Sequence, residues 1–227
     1  MRVDLSMVAN VATLATCVFV AYVALGARAT RPTAASPIEE VQNVTTPLPR
    51  SHVMGDPRAR TVVIEFTDFQ CPFCGRHARE TFPAIQKEFV DTGKIRWAVR
   101  QFPLGIHPAA YDAAKAALCA GEQQRYWPMH ARLFAIQDEL ALPTITTAAD
   151  DIGLVRSQFD VCMNSPAQTV EADKAEATRL GVVSTPTFLV GSVDGDGNVH
   201  VKTRIRGVRD PAVFREVIGN MASLSSE

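Results

Sequence analysis

The stretch Thr61–His77, "TVVIEFTDFQCPFCGRH", decides how the chain folds. Its first nine residues are rich in β-branched and aromatic side chains, which predicts a buried strand. The strand runs into a C-x-x-C motif. Apolar side chains then recur at intervals of three and four residues, which predicts an amphipathic helix. Two cysteines between a strand and a helix can be a redox pair, half of a metal site or the remnant of a haem attachment.

Neighbouring residues separate these alternatives. A c-type haem attachment needs His directly after the second cysteine, and Gly75 stands there instead. A structural zinc site needs four ligands, normally from two pairs, whereas Cys119 and Cys162 stand singly and far apart. A purely structural bond is disfavoured because a disulfide that closes so small a ring is strained and easily reduced. The sequence therefore favours a redox pair, with no metal and no cofactor.

The two thiols of this pair have different predicted roles. Cys71 falls near the N-cap of the helix, and Pro72 falls at the first helical position. Because the amino end of a helix favours an anion, the pKa of Cys71 should be lowered and its thiolate available. Cys74, one turn into the helix, should be less exposed. We therefore expect Cys71 to exchange disulfides with a substrate and Cys74 to resolve the mixed disulfide.

A second motif, "VSTPTFLV" at Val183–Val190, precedes another predicted strand. An X-Pro bond is the only common place for a cis peptide, so Thr185-Pro186 predicts a cis-proline loop. The alternative is a trans proline that opens an edge strand. The strand, C-x-x-C and helix upstream disfavour that alternative.

The order of the remaining elements predicts the fold class. A second strand is expected over residues 94–103, followed by Ala-rich helices over about 105–181. Strand character returns in "PTFLVGS" and "VHVKTRIRGV", and Asp210-Pro211 then opens a last helix. This order predicts an α/β fold, a small sheet with an all-helical insertion. His107 and His130 are interpreted as packing or helix-terminal residues.

Three motifs in this order are highly specific: "VIEFTDFQCPFCGRH", "HPAAYDAAKAALCA" and "GVVSTPTFLVG". Over residues 53–227 the sequence resembles the DsbA-like branch of the thioredoxin superfamily. The resemblance implies a thioredoxin fold with an inserted helical domain. It also implies thiol–disulfide exchange on exported proteins.

Several site residues take their roles from this resemblance. Cys71 would be the nucleophile and Cys74 the resolving cysteine. Pro186 would line the substrate groove, and Thr185 would offer backbone groups to an extended substrate chain. Glu65 matches a buried acid beneath the redox pair, whose pKa would be raised by burial and which would carry protons to or from Cys74. The alternative is that Glu65 ends its strand pointing to solvent.

The other two cysteines of the folded part, Cys119 and Cys162, are expected to form a structural disulfide. In an exported protein two remaining cysteines tend to pair, and some proteins of the DsbA-like branch have a second disulfide in the helical block. The alternative is two buried free thiols.

Two departures from the best-known oxidases of this branch leave the direction of electron flow open. Phe73 stands between the cysteines where those oxidases have His, so it offers the Cys71 thiolate neither charge nor a side-chain hydrogen bond. Thr185 precedes Pro186, as in relatives that work as isomerases or reductases.

The amino-terminal region predicts export. Residues 5–26 carry no charge and as a helix would span about 33 Å, enough for the core of a bilayer. Residues 1–29 are therefore a signal anchor, or a signal peptide that "ARA" at 27–29 would allow to be cleaved. Residues 30–52 lack any period and are predicted to be a flexible linker. Either form of residues 1–29 delivers the rest of the chain to the periplasm or the outer face of the membrane.

Together these features predict a membrane-tethered enzyme that donates disulfides to thiol-containing exported polypeptides. Its expected oxidant is a membrane partner, DsbB-like or vitamin-K-epoxide-reductase-like. A reductase or isomerase of the same fold and a non-catalytic peptide-binding chaperone are the alternatives. The net charge of −1 gives no case for nucleic acid, and a monomer is expected because only a linker precedes the catalytic domain.

Overall fold

A computed structural model of the protein describes residues 36–49 and 52–224. A compact unit begins at Pro37. The predicted anchor or signal peptide, residues 1–29, lies outside the described residues. Within the described ranges, no helix is both long and apolar enough to cross a membrane.

The strands form one mixed sheet in the order β1-β6-β5-β3-β4-β2. The central strand β3 runs parallel to β4 and antiparallel to β5, and all seven of its residues are buried. A strand covered on both faces is mostly apolar, and here Val62–Phe66 is apolar except for the buried Glu65. The strands are β1 (Ile38–Pro47), β2 (Val53–Met54), β3 (Thr61–Thr67), β4 (Ile95–Gln101), β5 (Thr187–Val193) and β6 (Asn198–Arg206).

The helices fall into two groups, those on the sheet and those of an insertion between β4 and β5. Helix α1 follows β3 in four consecutive segments, alternately α and π in geometry: Pro72–Arg76, His77–Thr81, Phe82–Ile85 and Gln86–Val90. The others are α2 (Ala110–Glu122), α3 (Tyr126–Ala135), the short 3₁₀ turn Gln137–Glu139, α4 (Leu142–Asp151), α5 (Arg156–Asn164), α6 (Gln168–Arg179) and α7 (Pro211–Leu224).

This architecture confirms the predicted fold class, a thioredoxin-like α/β fold with a helical insertion. One core cluster joins the sheet, α1 and α7 to the insertion, with buried side chains such as Trp97, Phe214 and Met129. A second cluster covers the other face of β3, where Val62 and Ile64 pack with residues at the end of α6 and beyond. The sheet is therefore buried on both faces, and the insertion shares the main core.

The prediction of a flexible linker over residues 30–52 is wrong for residues 38–47. These residues form the edge strand β1, which pairs antiparallel with β6. A bulge between Glu40 and Val44, with Asn43 at a φ of 58°, interrupts the pairing. Val41 and Val44, which pack on the second core cluster, are therefore three residues apart. The bulge breaks the period of two that would have indicated a strand.

A buried ion pair ties the insertion to the sheet. The Arg100 guanidinium on β4 lies 2.8 Å from a carboxylate oxygen of Asp173 on α6, and the other oxygen accepts a hydrogen bond from the Gln101 amide at 2.9 Å. Arg100 also donates to the carbonyl of Pro47 at 2.7 Å. Each of these two buried charges neutralises the other. Removing either one would therefore leave an uncompensated charge in the core.

Cys119 on α2 and Cys162 on α5 form a disulfide, with their Cα atoms 5.7 Å apart. The bond closes a loop of 43 residues and links the first long helix of the insertion to a later one. Cys119 is buried at 1 % exposure.

Removing this disulfide should destabilise the fold. We expect Cys119→Ala/Cys162→Ala to lower the free energy of unfolding by up to about 4 kcal/mol, since the reduced chain gains the entropy of an open loop. The variant and its parent should both carry Cys71→Ser/Cys74→Ser, so that only one disulfide is in question. Equilibrium unfolding in urea measures the difference. A loss below about 1 kcal/mol would contradict the stabilising role.

Candidate active site

The end of β3 and the start of α1 place Cys71 as the sequence predicts. Cys71 is the N-cap residue of α1, with extended backbone at φ −72° and ψ 120°, and Pro72 occupies the first turn. Proline is favoured there because its missing amide would have no partner in the helix. The next two amides of the helix, those of Phe73 and Cys74, hydrogen-bond the Cys71 sulfur.

The loop before Cys71 is organised by the buried carboxylate of Asp68. One oxygen accepts hydrogen bonds from the backbone amides of Gln70, at 2.7 Å, and Cys71, at 3.1 Å. The other accepts the Leu104 amide and lies against Nδ1 of His107, both at 2.8 Å. Asp68 thus joins the redox loop to the loop after β4. His107 therefore contacts the redox loop through Asp68, a role that the sequence did not reveal, although Asp at a strand end is a typical turn residue.

The same loop is contacted from the insertion by Gln137. Its side-chain nitrogen donates to the carbonyls of Phe69 and Cys71, each at 2.8 Å. Gln137 lies in the short turn after α3, and its side chain is buried. Nothing in the sequence pointed to this residue.

Both cysteines of the motif are free thiols in this structure and are buried. The Cys71 sulfur lies 3.5 Å from the carbonyl oxygen of Thr185. The Thr185–Pro186 peptide bond is cis, and β5 begins at the next residue. The structure therefore brings the C-x-x-C motif and the predicted cis-proline loop into contact.

The environment of Cys71 stabilises its thiolate. Its pKa is lowered to about 5, chiefly by a hydrogen bond from the Cys74 thiol. Burial opposes the shift, and hydrogen bonds from the backbone amides of Cys74 and Phe73 add to it. Cys71 is thus ionised at neutral pH.

Cys74 has the opposite character. Burial raises its pKa well above the ordinary value, and the hydrogen bond to Cys71 and the charges of Cys71 and Glu65 act in the same direction. A thiol that keeps its proton is a donor to its ionised neighbour. The pair therefore consists of one nucleophilic thiolate and one protonated thiol.

Glu65 lies on β3 with only 2 % of its surface exposed, so it does not point to solvent. One of its carboxylate oxygens accepts a hydrogen bond from the Trp97 indole at 3.2 Å. Burial raises the pKa of Glu65 to about 7, although hydrogen bonds with Thr67 and Trp97 oppose the shift. A buried carboxyl near the redox pair can therefore hold or release a proton near neutral pH.

Phe73, between the two cysteines, is 56 % exposed. The guanidinium of Arg76 lies over its ring, 5.6 Å from the ring centre. What Phe73 provides to the Cys71 thiolate is its backbone amide.

A thioredoxin family model matches residues 48–204. Among solved structures, alpha-DsbA1 from Wolbachia pipientis superimposes with a TM-score of 0.68 and 26 % identity, over 80 % of this chain and 96 % of that one. BdbD from Bacillus subtilis, in its oxidised form, gives a TM-score of 0.64 over 80 % of this chain and 98 % of that one. At 20 % identity, the second likeness concerns the fold alone.

Curated relatives match part of a longer protein. The sequence is 37 % identical over 144 residues to a Na⁺/H⁺ antiporter NhaA 3 of Salinispora tropica, covering 62 % of this chain and 22 % of the antiporter. It is 35 % identical over 164 residues to an NhaA 1 of a Mycobacterium species, covering 70 % and 26 %. The chain thus spans about a quarter of the length of these relatives.

The low pKa of Cys71 has a direct test. The ultraviolet absorbance of the thiolate in the reduced protein should titrate with a midpoint at pH about 5. Cys74→Ala should raise the midpoint because it removes the main hydrogen-bond donor, whereas Cys74→Ser keeps a hydroxyl donor and should raise it less. A wild-type midpoint near the ordinary cysteine value of about 8.5 would contradict this assignment.

The same shift predicts how the stability of the reduced protein depends on pH. The folded thiol loses its proton at about pH 5, the unfolded one only near pH 8.5. The stabilisation is therefore complete above about pH 8.5 and is lost as the pH falls towards 5. Urea unfolding should show this decline in the stability of the reduced wild type relative to reduced Cys71→Ser, a comparison in which the titration of the other groups cancels.

Proposed function

The chain belongs to the DsbA-like branch of the thioredoxin superfamily, and on that basis we propose that it introduces disulfides into exported proteins through Cys71 and Cys74. The observation that carries the proposal is the position of Cys71, at the amino end of α1 and against the cis-proline loop, where the Cys74 thiol lowers its pKa. A stable thiolate favours the reduced form of the pair and is a good leaving group. The disulfide of such a pair is therefore a strong oxidant.

In the first step, a substrate thiolate attacks the Cys71 sulfur of the oxidised pair. A bond forms between the substrate sulfur and Cys71 while the Cys71–Cys74 bond breaks, and the electron pair passes to Cys74. Because the pKa of Cys74 is raised by burial, this sulfur takes up a proton. Glu65 is the proton donor in this proposal.

In the second step, another substrate thiolate attacks the substrate sulfur of the mixed disulfide. A disulfide forms within the substrate, and Cys71 leaves as the thiolate that its surroundings stabilise. The substrate loses two electrons and two protons. The pair gains two electrons and ends reduced.

The substrate would bind as an extended chain beside the cis-proline loop. Thr185 is buried, and its carbonyl oxygen is 3.5 Å from the Cys71 sulfur. A chain added along the backbone of Thr185 and Pro186 would bring a cysteine to that sulfur. The exposed ring of Phe73 would flank the same position.

The cellular setting is part of the proposal. The domain would act in the periplasm or at the outer face of the membrane, tethered by residues 1–29 and as a monomer. A membrane protein of the DsbB-like or vitamin-K-epoxide-reductase-like kind would accept the two electrons of the reduced pair. The uncharged stretch of residues 5–26 supports this setting.

A reductase or isomerase on the same fold is the second candidate. It is favoured by Phe73, whose side chain brings neither charge nor hydrogen-bond donor to the thiolate. Such an enzyme would start from the reduced pair, and the Cys71 thiolate would attack a substrate disulfide. The two functions differ in the reduction potential of the pair.

Variants of the two cysteines test the chemistry. Oxidised wild-type protein should oxidise a reduced, unfolded test protein stoichiometrically, and Cys71→Ser should abolish this. Mixed with a test protein that already contains a disulfide, Cys74→Ala should accumulate a mixed disulfide through Cys71. The Cys71 thiolate opens the substrate disulfide and releases one substrate thiolate, and the adduct persists until dithiothreitol releases it because the resolving thiol is missing. Full retention of the biological role by Cys71→Ser would instead indicate a peptide-binding chaperone whose cysteines are idle.

Glu65→Gln tests the proton donor. The variant keeps the shape but cannot release a proton, so opening of the Cys71–Cys74 disulfide by a small thiol should slow by at least about tenfold. The wild-type rate should also show an inflection near pH 7, where Glu65 titrates. Stopped-flow kinetics from pH 5 to 9 measure both. An unchanged profile in Glu65→Gln would contradict the role.

Stability supplies a second readout for the same variant. Between about pH 4.3 and 7, folded Glu65 keeps a proton that the unfolded chain has lost. In the oxidised protein, where Cys71 is in a disulfide and does not titrate, the stability of wild type relative to Glu65→Gln should therefore fall as the pH rises through this window. Glu65→Gln should be the more stable protein above pH 7.

A further inference from the structure

We propose that Gln137 is a positioning residue for Cys71, which the helical insertion uses to hold the redox loop, and that Gly75 follows the C-x-x-C motif to make room for it. The proposal rests on the proposed function, in which Cys71 is the attacking thiol. Gln137 is 66 residues from Cys71 in the sequence and would act on the Cys71 sulfur through the backbone.

The side-chain amide of Gln137 holds two backbone carbonyls. Its nitrogen has two hydrogens, and it donates to the carbonyl oxygens of Phe69 and Cys71, each at 2.8 Å. The Cys71 carbonyl also accepts the first hydrogen bond of α1, from the Gly75 amide at 3.1 Å. Gln137 therefore binds the turn at the point where the loop becomes a helix.

Arg79 sets the orientation of the Gln137 side-chain amide from the side opposite the redox loop. The Gln137 carbonyl oxygen lies 3.5 Å from a guanidinium nitrogen of Arg79 on α1, and the same nitrogen donates to the Phe134 carbonyl at 2.9 Å. Because a guanidinium only donates, the oxygen of the amide faces Arg79 and the nitrogen faces the redox loop. Arg79 and Phe134 thus fix the Gln137 side chain between α1 and the insertion.

Gly75 is the residue that lets this amide approach. A Cβ at position 75 would lie 1.9 Å from the Gln137 side-chain oxygen and 2.7 Å from its Cδ. Glycine is a poor helix former, so its place in the first turns of α1 disfavours the helix by itself. The close approach of Gln137 gives a physical reason for it.

By holding the backbone of Cys71, Gln137 fixes the direction in which the amides of Phe73 and Cys74 point at the Cys71 sulfur. Asp68 accepts the Cys71 amide at 3.1 Å, and Gln137 holds the Cys71 carbonyl, so the backbone of Cys71 is fixed at both ends. The amides of Phe73 and Cys74 then point at a sulfur in a defined place. Without Gln137 the turn can move, and these hydrogen bonds to the thiolate weaken.

Two variants remove the contact in different ways. Gln137→Met has a similar length but no donor. Gly75→Ala should push the flexible end of Gln137 aside while favouring the helix, so it should fold even if Gln137→Met does not. Matched controls are Gln123→Ala, which loses a side-chain clamp on the Val155 backbone within the insertion, and Gly219→Ala, where an added Cβ meets nothing within 4 Å.

The measurement is the pH titration of the Cys71 thiolate, together with its rate of alkylation near the wild-type midpoint. We expect Gln137→Met and Gly75→Ala each to lower that rate by about twofold to tenfold, the effect of one or two lost hydrogen bonds. The double variant should be no worse than the stronger single one, because both act through one contact. Gln123→Ala and Gly219→Ala should titrate as wild type.

Three results would overturn the proposal: midpoints unchanged in both variants, fully additive effects in the double variant, or an equal shift in Gln123→Ala. If Gln137→Met fails to fold, the titration of Gly75→Ala decides. Failure of the proposed function is separate, since it would show as a wild-type Cys71 that already titrates near pH 8.5.

Discussion

The structure depends on one constraint, that the sulfur of Cys71 stays at the amino end of a helix beside a buried, protonated Cys74. The hydrogen bond from the Cys74 thiol is the main cause of the low pKa of Cys71. That bond exists only while Cys74 keeps its proton, and its burial ensures this. The two cysteines have the same chemistry in water and are made different by their position in one helical turn.

The fold meets this constraint by surrounding a short loop with rigid elements. The buried strand β3 delivers the loop, and Asp68 fastens it to the loop after β4. The cis-proline loop before β5 covers the sulfur, with the Thr185 carbonyl 3.5 Å away. From the insertion, the Gln137 side chain donates hydrogen bonds to the carbonyls of Phe69 and Cys71 at the start of α1. The insertion therefore contacts the site as well as sharing the core of the sheet.

Much of this could be predicted from the sequence where the determinants are local. The strand, the N-cap position of Cys71 and the place of Pro72 are properties of a dozen neighbouring residues. The helical insertion was predicted from its Ala-rich composition. Thr185-Pro186 was identified by its motif, and its contact with Cys71 then followed from the resemblance to a known family.

Other features depend on contacts that no local pattern records. Gln137 is 66 residues from Cys71 in sequence, and an isolated Gln has no distinguishing signal. His107 has the pattern of a packing or helix-terminal residue, and its contact with Asp68 depends on a residue 39 positions away. Strand β1 escaped prediction because the bulge at Asn43 interrupts its alternation and because β6, its partner, lies far along the chain.

The central claim is that the Cys71 thiolate makes the disulfide of the pair oxidising. Its most direct test is the equilibrium of the Cys71–Cys74 pair with a series of glutathione redox buffers, with Cys119→Ala/Cys162→Ala as a check that the second disulfide does not contribute. A reduction potential of about −120 to −180 mV is the predicted result. A potential near that of thioredoxin, about −270 mV, would contradict it and would indicate a reductase.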